Sequence, residues 1–348
     1  MQFRSKLFTR FAFIILLFFV SVSCTNCSSV FSGLNGQKTL SEGDVLYLVS
    51  YNTQTFFDAI QDGREFKEFK GVKSKWNSEK YRARLERLRE VGELAVQTMG
   101  GGKNRMPDIF VMQEIESSRV IEDFSKLFSG SETYPSVVFF QPSTGESFST
   151  AIFSRFPILA YRQFRLEDSR FNCSGLRPLV MATIEIDTGA SHEYLTVFAV
   201  HWKSKLGKNT ELIRQEQEKQ LFTQVEKLLR HNPNAQILIC GDFNQTREEF
   251  SLLNAYKNMW DYSASTQVQL GVNGSYRYKD TWEAIDHIFF SQSLQDAQGL
   301  DIVDFAPIAV QPLLKTNGEI NEYKIYSGKG YSDHLPLSCV LEFMGNAN

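Results

Sequence analysis

A chain of 348 residues, 42% hydrophobic and 13% aromatic, has the material for a large buried core and reads as an ordinary globular protein of one large domain or two smaller ones. Its formal charge of -3 excludes a protein that holds nucleic acid mainly through a strongly basic face. It does not exclude a nuclease, because a divalent cation and a few local Arg and Lys can supply the positive field where phosphate sits.

At the N-terminus, Arg4, Lys6 and Arg10 precede the unbroken apolar run Phe11 to Val20, followed by the small Ser21 and Ser23. Residues 1–23 are therefore expected to be an export signal. As a helix the apolar run reaches only about 15 Å, half of a roughly 30 Å hydrocarbon core, which disfavours a permanent membrane span. Cys24 directly follows Ser23 and resembles the lipidated cysteine of a bacterial lipoprotein, although Ser21 stands where that pattern usually has Leu. Membrane attachment through a lipidated Cys24 and simple secretion both stay open. Ser and Gly are frequent from Ser28 to Gly43, so residues 24–42 are expected to be a tether. The remaining cysteines, Cys27, Cys173, Cys240 and Cys339, show no zinc spacing or disulfide framework; Cys240 and Cys339 lie in apolar runs and read as core thiols.

Val45 to Tyr51 is a strand by its β-branched and aromatic content and leads into Asn52. From Trp76 to Met99, Tyr81, Leu85, Leu88, Val91, Leu94 and Ala95 recur at helical spacing among Arg and Glu, predicting a surface helix lying on a sheet. Pro107 opens a strand from Asp108 to Met112 that runs into Gln113 and Glu114. Ser136 to Gln141, Thr150 to Ser154, Leu179 to Ile186 and Tyr194 to Val200 are further strands, the last ending at His201. Asn209 to His231 is a second amphipathic helix. Ile237 to Cys240 lacks polar alternation, as a central strand buried on both faces would, and ends in Gly241, Asp242, Phe243 and Asn244. Asp242 and Asn244, two apart, point the same way in extended geometry. After Trp260 the polar stretch to Asp280 is loop-like, then Ile285 to Phe290 and Leu337 to Phe343 read as strands.

The polar residues that end these apolar strands are Asn52, Glu114, His201, Asp242 with Asn244, Asp286 with His287, and Asp333 with His334. In layered proteins strand ends are where distant parts of the sequence converge, so these groups are expected to form one site. Carboxylates and amides without Cys favour Mg²⁺, with Mn²⁺ as the alternative, over zinc. His287 is left out of the set because strand alternation points it away from Asp286. His192 and His231 stand outside any motif.

The motifs YNTQTFFD, MQEIE, HWKSK, GDFNQ, IDHIFF and YSDHLPL, in this order, resemble the endonuclease/exonuclease/phosphatase superfamily over about residues 43 to 343. The resemblance implies an α/β (α+β) four-layer sandwich of two facing β-sheets flanked by helices, with residues 43–348 forming one catalytic domain. It implies Mg²⁺-dependent hydrolysis of phosphodiester bonds, with Glu114 as principal metal ligand assisted by Asn52 and Asp333. Asp242 and Asn244 would position water and phosphate, and His334, oriented by Asp286, would activate water or meet the phosphate. His201 would donate to a phosphate oxygen, so that metal and two histidines together place positive charge on the transition state. Arg177 matches a phosphate-contacting Arg of nuclease-like members, and Lys203 and Lys205 could grip phosphate or be solvated charges. Gln54 stands where some members have a second acidic ligand.

The expected substrate is a phosphate ester, foremost nucleic acid, because HWKSK resembles exported bacterial nucleases and the stretch GVNGSYRYKDTW interleaves aromatics with cations that could stack on bases or close the core. The alternatives are a phosphatase or sphingomyelinase-like lipid phosphodiesterase and, in another class, an inactive binding module of the same fold. No protein partner is implied.

Overall fold

The computed structural model describes residues 39–345 apart from 64, 72–73, 144 and 260–271. The expected export signal, Cys24, Cys27 and most of the expected tether lie outside these residues. Leu40, inside the tether stretch, is fully buried, and its amide donates to the Asp187 carbonyl at 2.8 Å.

The elements in chain order are β1 (Val45–Phe56), α1 (Ser78–Thr98), β2 (Ile109–Ile115), α2 (Ser118–Ser125), β3 (Ser136–Phe139), β4 (Ser149–Ser154), β5 (Ile158–Phe164), β6 (Leu179–Asp187) and β7 (His192–His201). Then follow α3 (Thr210–His231), β8 (Gln236–Asp242), β9 (Lys257–Asn258), β10 (Tyr276–Tyr278), β11 (Thr281–Glu283), β12 (Asp286–Phe290), β13 (Leu300–Pro307) and β14 (Leu337–Phe343). They build two six-stranded sheets, ordered β13-β14-β1-β2-β4-β3 and β5-β6-β7-β8-β12-β9, and a hairpin of β10 and β11. Each large sheet holds one parallel pair at its centre, β1 with β2 and β7 with β8, the signature of a strand-helix-strand crossover through α1 or α3.

Side-chain alternation divides the apolar residues among three layers. Leu46, Leu48, Ile109 and Val111 from the first sheet pack against Val197, Ala199, Leu238, Cys240 and Ile288 from the second, so the sheets face each other across a shared core. Val49, Tyr51, Phe110 and Met112 turn outward beneath Leu85, Leu88, Val91 and Ala95 of α1. Phe198, Val200, Ile237 and Ile239 turn outward beneath Leu221 and Val225 of α3. The result is the four-layer α/β sandwich. Asn77 caps α1, its side chain accepting from the Lys80 amide at 2.9 Å.

Several elements escape the sequence pattern. The stretch expected to be loop-like up to Asp280 contains β10 and the start of its hairpin with β11, paired from Tyr276 opposite Glu283 to Tyr278 opposite Thr281. β13 carries Asp301 and Asp304 and a register shift between Ile302 and Asp304, which breaks its alternation. β5 is an edge strand whose Leu159 and Tyr161 are exposed, so it has no apolar face to announce it. Eight-residue α2 is too short for its period to stand out.

Candidate active site

The site lies where the inner faces of both sheets turn from apolar to polar. In the second sheet, His201 pairs in register with Asp242, and Asp242 with Asp286. Residues paired across neighbouring strands project to the same face. All three therefore continue the inward rows of Ala199, Cys240 and Ile288, one step beyond the hydrophobic core. Gly241, at φ 138°, permits this crowding: a Cβ there would lie 2.0 Å from the Val200 carbonyl oxygen. His287 points the other way, as alternation requires, donating from Nε2 to the Gln245 carbonyl at 2.9 Å and packing edge-on against Phe243 and Phe250.

In the first sheet, Asn52 continues the inward row of Leu46, Leu48 and Ser50. Glu114 should face outward with Phe110 and Met112, yet the backbone reverses it. Glu114 has φ 65°, and the β1–β2 ladder is irregular between Asn52 and Phe56. Its carboxylate accepts from the Thr55 amide at 2.5 Å and from Asn52 Nδ2 at 3.4 Å. Asn52 Nδ2 in turn donates to Asp242 Oδ2 at 3.0 Å, joining the two sheets.

Asn244 reaches Asp242 by a different route from the expected one. It is not extended but left-handed, at φ 53°, and its amide and Nδ2 donate to the Asp242 carboxylate at 2.8 and 3.1 Å. His201 Nε2 lies 3.6 Å from Glu114 and 3.7 Å from Asp242. Asn52, Glu114, His201, Asp242 and Asn244 are thus one connected set. Asp286 and His334 form its second half: His334 Nδ1 and Asp286 Oδ2 are 2.7 Å apart, both side chains buried. Ligand atoms of Asp242, Asp286 and His334 all lie within 4.8 Å of one another.

The second half is braced by residues without a sequence signal. Ser275 Oγ donates to Asp286 Oδ2 at 2.5 Å, and the Tyr276 ring lies against His334 with centroids 4.9 Å apart. Ser332 Oγ donates to the Asn52 carbonyl at 2.7 Å and accepts from the His334 amide at 3.1 Å, tying the segment before β14 to β1. YSDHLPL, through its Ser, and GVNGSYRYKDTW, through its aromatics, offered hints. The aromatics of the hairpin divide: Tyr276 covers His334, Trp282 packs against the outer hydrophobic cluster of the first sheet, and Tyr278 stays exposed.

Charge in the site is unevenly shared. Burial would lower the His334 pKa, but the Asp286 carboxylate, helped by Asp242 and Asp333, outweighs it and holds the imidazole well above its ordinary value. Burial, then Asp286, raises Asp242 to about 7. Burial also raises Asp333, opposed by His334 and reinforced by Glu114. His201 departs from expectation. Burial, then the Arg177 guanidinium and His334, push it well below its ordinary value, so it stands neutral. The second positive charge belongs instead to Arg177, whose Nε lies 3.2 Å from His201 Nδ1 and which donates to the Trp202 carbonyl at 3.1 Å.

Two expected substrate groups separate here. Arg177 reaches the site through His201. Lys203 does not: its Nζ turns back onto its own loop, donating to Leu206 O at 2.7 Å and Ser204 Oγ at 3.2 Å. Lys205 pairs with Glu249 and Glu283. Gln54 accepts from the Tyr323 amide at 2.9 Å. Asp333 Oδ1 lies 3.4 Å from Ser332 Oγ, and the residue lines a cavity of about 240 Å³ with Arg277, Lys279 and Lys315. Buried carboxylates and an amide, without thiols, make a hard-oxygen donor set suited to a divalent cation such as Mg²⁺.

A family model described as the endonuclease/exonuclease/phosphatase family matches residues 47–343. No curated protein sequence matches the chain. Among solved structures, truncated Caenorhabditis elegans TDP2 is similar at TM-score 0.54 with 16% identity, covering 86% of this chain and 97% of that one. D. rerio TDP2 complexed with a single-strand DNA product is similar at TM-score 0.50 with 18% identity over 86% and 99%. A Bacteroides thetaiotaomicron mannosyl-6-phosphatase is similar at TM-score 0.51 with 16% identity over 86% and 100%. At these identities the likeness is one of fold.

Proposed function

Because the chain belongs to the endonuclease/exonuclease/phosphatase family, and is therefore a phosphoester hydrolase of the metal-dependent type, we propose that it hydrolyses phosphodiester bonds with Mg²⁺, nucleic acid being its foremost substrate. The observation that carries this reading is the buried 2.7 Å pair of His334 and Asp286 set beside Asp242 and facing the Asn52–Glu114 pair of the other sheet.

Asp286 accepts from His334 Nδ1 and so orients the ring, which leaves the Nε2–H for the substrate. Held as a cation, His334 stabilises the charge gathering on the phosphorane oxygens. Asp242, at about 7, suits a group that takes a proton from the attacking water near neutral pH. Asn244 fixes the Asp242 carboxylate. Neutral His201 lies against the Arg177 guanidinium, whose Nε and Nη2 are 3.2 and 2.6 Å from its Nδ1 and Nε2, so the positive charge offered to a phosphate oxygen on this side is that of Arg177. Glu114, Asn52 and Asp333 would hold the cation, which when bound supplies Lewis acidity toward the phosphoryl oxygens.

The exposed Tyr278 with Arg277 and Lys279, bordering the Asp333 cavity, supports a polyanion with stackable bases. The likeness to D. rerio TDP2 is compatible with that choice. A phosphatase acting on a small phosphate ester is the second reading, favoured by the likeness to the mannosyl-6-phosphatase. Purified protein incubated with DNA, RNA, sugar phosphates and phospholipids plus Mg²⁺ separates these: EDTA-sensitive cleavage of nucleic acid is expected. Hydrolysis of sugar phosphates alone would select the second reading, and no EDTA-sensitive hydrolysis of any substrate would overturn both.

A further inference from the structure

Arg84 is the largest of the fully buried side chains, 2% exposed, and among the described residues no carboxylate pairs with it. A buried cation without a counter-ion is strongly destabilising unless its donors are satisfied. Its terminal donors go instead to three consecutive main-chain carbonyls: Nη2 to Thr53 at 2.7 Å and to Gln54, and Nη1 to Thr55 at 2.8 Å, while Nε is buried without a partner among the described residues. The guanidinium plane is held between the Phe56 and Tyr323 rings, 4.6 and 4.1 Å from their centroids.

These carbonyls belong to the one stretch of β1 that departs from extended geometry. Gln54 and Thr55 are both left-handed, at φ 54° and 51°, and for β-branched Thr55 that is a strained conformation. In a planar trans peptide the carbonyl and the following N–H point in opposite directions. Fixing the Thr53 carbonyl on Arg84 therefore aims the Gln54 amide away from α1, and that amide donates to Asn52 Oδ1 at 3.0 Å. Fixing the Gln54 carbonyl likewise aims the Thr55 amide, which donates to Glu114 Oε2 at 2.5 Å.

We propose that Arg84 is the positioning residue of the metal site: by clamping the Thr53–Thr55 carbonyls it orients the two amides that set the Asn52 and Glu114 side chains. The inference rests on the reading of Asn52 and Glu114 as metal ligands. A lysine cannot reproduce the clamp, since one ammonium cannot present the planar fork that spans three carbonyls.

The test is Mg²⁺ affinity by isothermal titration calorimetry, with circular dichroism confirming folding. Arg84→Lys should weaken Mg²⁺ binding by about 10- to 100-fold, as loss of a ligand-orienting group does. Thr55→Gly added to Arg84→Lys should recover part of that loss, because glycine adopts the left-handed conformation without a clamp. Wild-type affinity in folded Arg84→Lys overturns this inference alone; no Mg²⁺ binding by the unmodified protein overturns the ligand assignment and this inference with it. If Arg84→Lys does not fold, Tyr323→Leu, which strips one ring from the guanidinium and leaves its charge, should weaken Mg²⁺ binding several-fold, and unchanged affinity there overturns the clamp.

Discussion

His334 and Asp286 come from segments 48 residues apart and meet as a buried pair, each offsetting part of the other's desolvation, with Ser275 Oγ also donating to Asp286. Removing the imidazole by His334→Ala should lower hydrolysis by about 10² to 10⁴ while leaving Mg²⁺ binding measurable by calorimetry. Near-wild-type turnover in that variant removes His334 from its role. On the opposite face, burial holds His287 at about 4, below the roughly 6.5 of an unfolded histidine. A base whose folded pKa is depressed contributes stability that is present above the unfolded value and lost as pH falls toward the folded one. Melting temperature should therefore fall from pH 6.5 to 4 more steeply for the wild type than for His287→Gln, and equal slopes would refute the assignment. At this scale the polar strand ends Asn52, Asp242 and Asp286 were legible, because alternation carries them inward from apolar neighbours. Ser275, Ser332 and the Thr55 amide were not: a serine reads the same in a turn as in a brace, and a main-chain amide has no letter.

Among the elements, the site depends on local breaks in strand regularity. Glu114 would sit under α1 were β2 regular to its end, and Asn244 would not fold back on Asp242 were it extended. Gly241 is the tightest of these positions. With its Cβ 2.0 Å from the Val200 carbonyl oxygen, Gly241→Ala should cost at least about 3 kcal/mol in urea unfolding. A loss under 1 kcal/mol would show that the β7–β8 pair can spread. The long helices and central strands could be read from sequence because one face of each is apolar over several turns or pleats. The β10–β11 hairpin could not, since its strands are only three residues long, YRY and TWE, too short for an alternating apolar face to show.

For the whole molecule, the order of six short motifs indicated two facing sheets, and the layered core agrees with it. What motif order could not supply was the direction of each loop, which is why Lys203, two residues after His201 in sequence, turns away from it in space. The proposed export of the protein is likewise a property of the whole chain. Mass spectrometry of the mature N-terminus should find a start at Cys24, lipidated if the protein is membrane-anchored; an intact residue 1–23 segment on the exported protein would overturn that reading.

The row of His201, Asp242 and Asp286 across three strands has a bearing on which changes in length the chain can tolerate. Because inward and outward positions alternate with period two, deleting a single residue between Gln236 and Cys240 would exchange Asp242 for Phe243 on the inner face and thrust a carboxylate beneath α3, beside Phe250 and Phe289. One deletion would cost the chemistry and the second hydrophobic layer together. Loops between strands carry no such parity, so relatives of this chain should differ in length there and keep even spacing within these three strands.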